Sequence, residues 1–274
     1  MKPIDLEFII GLVIIMDINK KIQSLEEFTT NAWRPEYSLH VDGWHVGYSQ
    51  GITGRANSVF PIGDYGRYSV EEKISLIEAF YKRFEHYPTF KLTSASQPAN
   101  LKSELTKRGY VAGDTTHVQV SNAKETMDNT VSVLPCPARI ETKLTDKWFD
   151  FYVESSGYSD LSIEVRKGVL KRLGLVKGFA LVEIEAQLAA VGLGVVERGW
   201  LGIYCMATTT DQRRKGGATQ VLNSLAEWGL SQGAKKMYLQ VEGKNDPAIH
   251  LYTRAGFEFL YDYQYWKKPL RKKL

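Results

Sequence analysis

Apolar side chains recur every three to four positions between residues 17 and 32. Ile18, Ile22, Leu25 and Phe28 are separated there by Lys and Glu, which predicts an amphipathic helix ending before Trp33-Arg34-Pro35. From Tyr37 to Phe60 the period drops to two, with Asp42-Gly43 and Gly51 to Gly54 as turn signals, the pattern of a meander of short strands. Helical spacing returns from Glu71 to Phe84 through Ile74, Ile77, Phe80 and Tyr81. A short strand at Phe90 to Thr93 and a helix near Ala99 to Lys107, stopped by Gly109, follow. The stretch from Asn122 to Pro137 is polar and then carries Pro135 and Pro137, so it reads as a linker.

Beyond that stretch the order of elements repeats. Arg139 to Leu144 reads as a strand, Lys147 to Ser155 and Ile163 to Leu173 as helices, and Phe179 to Ile184, Leu188 to Val196 and Trp200 to Ala207 as successive strands. A glycine-containing loop leads to a helix from Gly217 to Gln232, a strand at Met237 to Val241, a helix at Pro247 to Ala255 and strands around Phe257 to Trp266. The fold class is α/β (α+β), with a mixed, mostly antiparallel sheet flanked by helices. At a constant offset of 147, Leu92 falls on Leu239, Leu105-Thr106-Lys107-Arg108-Gly109-Tyr110 on Tyr252-Thr253-Arg254-Ala255-Gly256-Phe257, and Ser58 to Pro61 on Cys205 to Thr208. We read this as a tandem duplication, with a front domain at residues 17–133 and a back domain at 138–274; chance matching of a common strand-helix-strand unit is the alternative.

Composition narrows the function classes. With 43% hydrophobic and 24% charged residues, disorder and fibrous architectures are excluded. The net charge of +4 suits anionic ligands but falls short of a nucleic-acid-binding stripe, so no nucleic acid partner is expected. Cys136 and Cys205 are the two cysteines, without CxxC or paired histidines at ligand spacing, so no metal and no disulfide framework is signalled and a cytoplasmic location is expected. The apolar run Phe8 to Met16 is far short of the ~20 residues that span a bilayer and leads to no cleavage site, so neither membrane insertion nor secretion is expected. Met16 stands immediately before the amphipathic helix pattern and is an alternative start of the coding sequence.

The most informative residues are Arg213-Arg214-Lys215-Gly216-Gly217-Ala218-Thr219, between a predicted strand and a predicted helix. Small residues let backbone N–H groups approach a diphosphate closely, the helix turns its positive end towards it, and two arginines and a lysine add charge. A glycine-rich turn with a solvated basic cluster would look the same in isolation. The context is more specific. This loop and the downstream block Leu239-Gln240-Val241-Glu242-Gly243-Lys244-Asn245-Asp246-Pro247-Ala248-Ile249-His250-Leu251-Tyr252-Thr253-Arg254-Ala255-Gly256-Phe257 together resemble the GNAT superfamily of acyl-CoA-dependent N-acetyltransferases. That family carries Gln or Arg, x, x, Gly, x, Gly or Ala, and later Asn, then Ala, x, x, Leu-Tyr, then Gly-Phe. The resemblance covers residues 138 to 268. More loosely, Trp33-Arg34-Pro35, Asp42-Gly43-Trp44 and Gly54-Arg55-Ala56-Asn57-Ser58 look like a bacterial subgroup with a degenerate GNAT-like half in front of the active one.

The resemblance implies an acetyl-CoA-dependent N-acetyltransferase in which an amine attacks the thioester directly in a ternary complex, with no metal. Met206, Ala207 and Thr208 would pair with the pantetheine arm and supply an oxyanion-hole N–H. Arg213, Arg214, Lys215, Gly216, Gly217, Ala218 and Thr219 would wrap the diphosphate, Asn245 would hydrogen-bond the cosubstrate, and Tyr252 would protonate the departing thiolate. Each has a structural alternative: Asn245 before Asp246-Pro247 is also an N-cap, and Tyr252 shares a face with Ala248, Leu251 and Ala255 as a core aromatic would. Cys205 reads as a small buried side chain, His250 as a surface residue, and the cluster Lys267, Lys268, Arg271, Lys272 and Lys273 as solvated.

Many relatives place a glutamate general base where this chain has Gln240, which cannot accept the proton; Glu242, Glu197, Asp211 or a water chain are the alternatives. The amine acceptor, the oligomeric state and the base stay open. In the front half, Gly66-Arg67-Tyr68-Ser69-Val70-Glu71 stands opposite the diphosphate loop without its glycines, and Leu105 opposite Tyr252. This half is therefore expected not to bind CoA but to shape the acceptor pocket, with Arg34, Asp42, Arg55 and Asn57 among Trp33 and Trp44 as candidate contacts. The rival reading is a non-catalytic acyl-CoA-binding regulator or a scaffold.

Overall fold

The computed structural model describes residues 6–131, 134 and 137–269, with side chains from residue 16 onward. Helix α1 (Leu6–Ala32) is followed by strands β1 (Tyr37–Val41), β2 (Trp44–Tyr48) and β3 (Val59–Phe60), helix α2 (Val70–Lys82), strand β4 (Phe90–Leu92), helix α3 (Leu101–Lys107) and strand β5 (Val111–Asn122). Helix α4 (Ala123–Asn129) leads to β6 (Arg139–Glu141), helices α5 (Asp146–Glu154) and α6 (Asp160–Arg172), and strands β7 (Val176–Ile184), β8 (Gln187–Glu197) and β9 (Trp200–Thr208). The chain closes with α7 (Gly217–Ser231), β10 (Lys236–Glu242), α8 (Asp246–Arg254) and β11 (Glu258–Lys267).

All eleven strands form one sheet in the order β1-β2-β3-β4-β11-β5-β10-β9-β8-β7-β6. The order is that of two half-sheets meeting head to head, with their last strands exchanged. At the sequence offset of 147, β4 corresponds to β10 and β5 to β11. Yet β4 pairs with β11, and β10 pairs with β5, each antiparallel, while β5 and β11 pair with each other at the centre. Only β3 with β4 and β9 with β10 run parallel, one such pair in each half.

Both faces of the sheet are covered. On one, α1 and α5 bury Ile22, Leu25, Phe28, Trp148 and Phe149 against Phe179, Leu193, Tyr204 and Tyr238, so a helix of the front half roofs strands of the back half. On the other, α7 buries Val221, Leu222 and Leu225 against Ala190, Leu201 and Met237. A third cluster fills the front half, where α2 turns Ile74, Ile77 and Tyr81 onto Trp44, Val46 and Phe90, joined by Trp266 from the exchanged β11. Lys73 in this core is fully buried, with Nζ 2.9 Å from Asp42 and 2.5 Å from Asp64. Burial works to raise the Asp42 pKa, but hydrogen bonds from Lys73 and Arg67 outweigh it and hold the carboxyl at about 2.

The pattern and the structure part in three places. Strand β5 (Val111–Asn122) has no counterpart in the sequence reading: its first four residues are exposed and it runs through Gly113, Asp114, Thr115 and Thr116, so little apolar alternation marks it. The expected linker from Asn122 holds α4, whose first N–H groups are capped by Asn122 Oδ1 at 2.9 Å from Lys124 N. A seven-residue helix that buries only Ala123 and Thr126 carries too little apolar periodicity to be read from sequence. Residues 132, 133, 135 and 136 of that stretch, the remainder of the linker reading apart from Val131, Leu134 and Pro137, lie outside the described residues. Helix α1 also begins before the expected residue 17, at Leu6. Among the described residues no helix is long and apolar enough to cross a membrane. No group of His, Cys, Asp and Glu there could hold a metal ion. Lys267 and Lys268 of the basic C-terminal cluster are described; Arg271, Lys272 and Lys273 lie outside.

Candidate functional site

The site opens where two parallel strands part. β9 and β10 are paired from Trp200 to Ile203 opposite Lys236 to Leu239 and then separate, β10 continuing against β5 and β9 against β8. At the parting β9 carries a bulge: Cys205 and Met206 stand between the Leu193–Tyr204 and Val191–Ala207 pairs, facing the single Gly192, and Cys205 adopts φ of +51°. A bulge re-aims backbone groups out of the ladder, here into the gap between the strands. Gly192 is obligatory opposite it, since a Cβ there would lie 2.5 Å from Val221 Cγ1 and 2.8 Å from Met206 Sδ.

Two cavities flank this gap. The outer cleft, about 1010 Å³, is lined by Met206 to Thr208, Gln212 to Thr219, and Asn245, Tyr252 and their neighbours on α8. Gly216, at φ +89°, turns the chain into α7 with no side-chain cap, and the first helical bond is Gln220 N–H to Gly216 O. Among the described residues the N–H groups of Gly217, Ala218 and Thr219 are thus left without an acceptor. Gly217 is pressed against β8, where an added Cβ would be 3.1 Å from that of Ala190. Arg213 and Arg214 are exposed and, among the described residues, have no carboxylate within ion-pair distance, and Lys215 donates to Gln212 Oε1 at 3.2 Å. Free N–H groups at a helix N-terminus beside three cations form a surface for a polyanion. The equivalent end of α2 is closed by its own side chains: Ser69 Oγ accepts from Glu72 N–H, and Glu72 Oε2 from Ser69 N–H.

The inner cavity, about 440 Å³, lies beyond the gap and shares Ser156, Met206, Asn245, Ala248 and Tyr252 with the outer cleft. Both halves of the chain wall it. Trp33, Thr53, Gly54, Arg55 and Thr116 come from the front, and Tyr152, Tyr158, Arg166, Tyr204, Gln240, Tyr263 and Tyr265 from the back. Gln240 is the node: its Oε1 accepts from Arg55 Nε at 2.6 Å and from Tyr263 Oη at 3.2 Å, and its Nε2 donates to Thr29 Oγ1 at 3.1 Å. Arg55 lies over the rings of Trp33 and Tyr204, and Trp33 Nε1 donates to Thr53 Oγ1 at 3.0 Å.

Tyr252 stands at the junction. It is buried on α8, yet among the described residues its hydroxyl has no hydrogen-bond partner. Burial pushes the phenol up to about 12, opposed by the positive charge of Arg55, so it holds its proton at neutral pH. A neutral phenol between two cavities can donate a proton to a leaving group.

The twelve site residues expected from sequence all line the outer cleft. Asn245 does both of the things weighed for it: Oδ1 caps α8 through Ala248 N–H at 3.2 Å, and the residue lines both cavities. Of the alternative bases, Glu242 lines the inner cavity, whereas Glu197 pairs with Asn31 and Arg198 and Asp211 lines neither cavity. Cys205 lines the inner cavity, but burial pushes its thiol up to about 11, which leaves it protonated. His250 is exposed at the cleft. Among the front-half candidates, Trp33 and Arg55 reach the inner cavity. Asp42 is held by Lys73, Asn57 Oδ1 accepts from Ser49 and Gly51 N–H groups, Trp44 is in the front core, and Arg34 is exposed. Tyr152, Tyr158, Arg166, Tyr263 and Tyr265 were not legible, because five side chains from three separate elements and a loop leave no spacing signal.

A sheet split by a bulged strand, with a phosphate-type loop at the head of the helix that follows, is the arrangement of a GNAT acyltransferase. Comparison with known proteins agrees. The family model described as "Probable histone acetyltransferase Rv0428c C-terminal" matches residues 19–266, and the chain belongs to that family. It is 26% identical over 246 residues to the "Uncharacterized N-acetyltransferase YobR" of Bacillus subtilis (strain 168), covering 89% of this chain and 97% of that one. In fold it is similar to a GCN5-related N-acetyltransferase from Kribbella flavida, with a TM-score of 0.67 at 13% identity over 92% of this chain and 96% of that one. A tandem GNAT protein from the clavulanic acid biosynthesis pathway gives 0.58 at 12% identity, over 90% of this chain and 88% of that one. The protein is a tandem acetyltransferase of the GNAT kind.

Proposed function

We propose that the protein transfers the acetyl group of acetyl-CoA to an amine, with acetyl-CoA in the outer cleft and the amine in the inner cavity. The observation that carries this reading is the meeting of the two cavities at Tyr252, whose hydroxyl has no hydrogen-bond partner among the described residues. The outer cleft suits a nucleotide thioester in two further respects: three free N–H groups and a basic loop match a diphosphate, and Ser155 Oγ is a buried polar atom on the cleft wall that no group among the described residues satisfies. When bound, acetyl-CoA supplies the activated acyl group. In this reading residues 138–274 carry the acetyl-CoA machinery, and residues 17–133 form the degenerate half that completes the acceptor wall. The two-cysteine composition fits a cytoplasmic enzyme.

Each residue has a defined task. Arg213 to Thr219 hold the diphosphate, Asn245 accepts or donates a hydrogen bond to the cosubstrate, and the backbone of Met206 to Thr208 pairs with its amide-containing arm. An N–H of that bulged segment polarises the thioester carbonyl. The amine must first lose a proton, and Glu242 is the carboxylate at the inner cavity able to take it. The amine nitrogen then forms the new bond to the acetyl carbon as the carbon–sulfur bond breaks. Tyr252 Oη gives its proton to the departing sulfur. Retention of that hydroxyl argues against a purely regulatory CoA-binding protein. The family's description favours a second reading, in which the amine is a protein lysine.

Calorimetric titration of acetyl-CoA into the full chain and into Gly216→Glu tests the cosubstrate. Micromolar binding to the parent and its loss in the variant are expected. Release of free CoA on adding amines tests the transfer, and failure of acetyl-CoA to bind the parent would overturn the reading.

A further inference from the structure

Among the described residues the buried lysines are paired with carboxylates. Lys73 is fully buried between Asp42 and Asp64, and Lys91 is buried against Glu26, whose other oxygen accepts from Tyr261 Oη at 2.7 Å. Two half-buried arginines have no such partner, and both line the inner cavity. Arg55 gives Nε to Gln240, and Arg166 gives Nε to Ser162 and Nη1 to Tyr152 Oη, each at 3.2 Å, with its guanidinium stacked 3.8 Å from the centre of the Tyr158 ring. Among the described residues no carboxylate lies within ion-pair distance of either. Among the described residues, both terminal nitrogens of Arg55 and Nη2 of Arg166 have no acceptor.

A half-buried guanidinium without a counter-charge is unfavourable unless an anion or solvent meets it. Gln240 sharpens the point. A glutamate there would sit 2.6 Å from Arg55 Nε and neutralise it, whereas glutamine fixes the guanidinium in place and leaves its charge available. Planar forks of this kind are suited to carboxylate and phosphate oxygens. Glu242, exposed at the strand end, is the single carboxylate among the lining residues. The cavity is thus positive at Arg55 and Arg166 and negative at Glu242, and its 440 Å³ admits a small molecule.

Resting on the transferase reading above for the word amine, we propose that the acceptor is a small amine that itself carries an acidic oxyanion, a carboxylate or a phosphate, held by Arg55 and Arg166. A lysine-rich peptide would bring further positive charge towards two uncompensated guanidinium groups.

The test reads binding rather than turnover, so that it can fail separately from the transferase reading. In the full chain loaded with CoA, calorimetry compares reaction products that differ in the acid alone: N-acetylglycine with its amide, N-acetyl-L-phenylalanine with its amide, and N-acetylethanolamine phosphate with N-acetylethanolamine. At least one acid should bind roughly tenfold tighter than its neutral partner, in keeping with hydrogen bonds to a charged group. The pair that does so tells carboxylate from phosphate. Arg55→Gln and Arg166→Gln should each abolish the preference. So should Gln240→Glu, which leaves the cavity its shape and supplies the counter-charge, with an unchanged melting temperature showing that the fold is intact. Equal affinities in every pair, no acid binding at millimolar concentration, or tighter binding of an N-acetyllysine peptide than of any acid would overturn the proposal. An acid preference without acetylation of any amine would support the anion site and sink the transferase reading.

Discussion

Gln240 Oε1 accepts a 2.6 Å hydrogen bond from Arg55 Nε, joining strand β10 to a residue 185 positions earlier in the chain. The same side chain also meets Thr29 of α1 and Tyr263 of β11. Gln240→Ala removes all three contacts and leaves Arg55 Nε without an acceptor. It should lower stability by about 1–3 kcal/mol in urea unfolding. It should also raise the KM for the amine while leaving the Kd for acetyl-CoA unchanged, because the outer cleft is untouched.

Tyr252→Phe deletes only the hydroxyl. Since that hydroxyl bonds to no group among the described residues, the melting temperature should not fall. Turnover should drop by roughly a hundredfold, the lower end of what general acid catalysis contributes. Steady-state kinetics beside acetyl-CoA calorimetry separates the two effects, and a variant that turns over as fast as the parent would remove Tyr252 from the chemistry. As the phenol titrates at about 12, the parent should show no loss of activity from its ionisation between pH 7 and pH 9.

Gly192→Val tests the bulge. A side chain at this position would come within 2.5 Å of Val221 Cγ1 and 2.8 Å of Met206 Sδ, so Val221 or Met206, which lines the cleft, must shift. The expected cost is about 1–3 kcal/mol of stability, as for other overpacked cores, together with weaker acetyl-CoA binding. Denaturant unfolding and calorimetry on the same sample report both.

His45 makes the front half acid-sensitive. Burial, and secondarily the charge of His40, lower its pKa from 6.5 to about 4. A base whose folded pKa is depressed costs the folded state nothing above 6.5. Below that the unfolded chain takes up the proton first, so stability falls as pH drops from 6.5 towards 4. His45→Gln should flatten that part of the stability curve, measured as urea midpoints across the window.

The exchange of β5 and β11 predicts that neither half folds alone. Residues 138–274 expressed by themselves would present β10 without β5 and β11 without either neighbour. They should show little dispersion in an NMR spectrum, and co-expression with residues 1–137 should restore it. A folded, acetyl-CoA-binding back half would refute this.

Legibility followed locality. The diphosphate-type loop and the block from Leu239 to Phe257 are continuous segments whose chemistry is fixed by residues a few positions apart, and every residue expected there lines the outer cleft. Strands such as β8 and β9 were visible because their flanking turns and apolar runs are local too. The inner cavity was not. Arg166 lies on a helix with nothing around it in sequence to mark it out, and Tyr263 and Tyr265 read as ordinary alternating strand residues. Tyr263 and Tyr265 are brought to the cavity of Arg55 by the exchanged strand β11, which the offset of 147 gave no reason to expect. The helix α4 was missed for a different reason: Asn122 and the polar residues after it resemble a linker unless one knows that Asn223 Nδ2 will donate to Met127 O at 2.9 Å.

The exchange also fixes the order in which the molecule can be completed. During synthesis β4 leaves the ribosome with β3 as its one available partner, and β5 waits for β10; the seam between them is filled only when β11, the last strand, emerges. Trp266 enters the front core at that moment. Loss of the final strand therefore damages the part of the protein made first, and a gene split between the halves would yield two chains obliged to fold around each other.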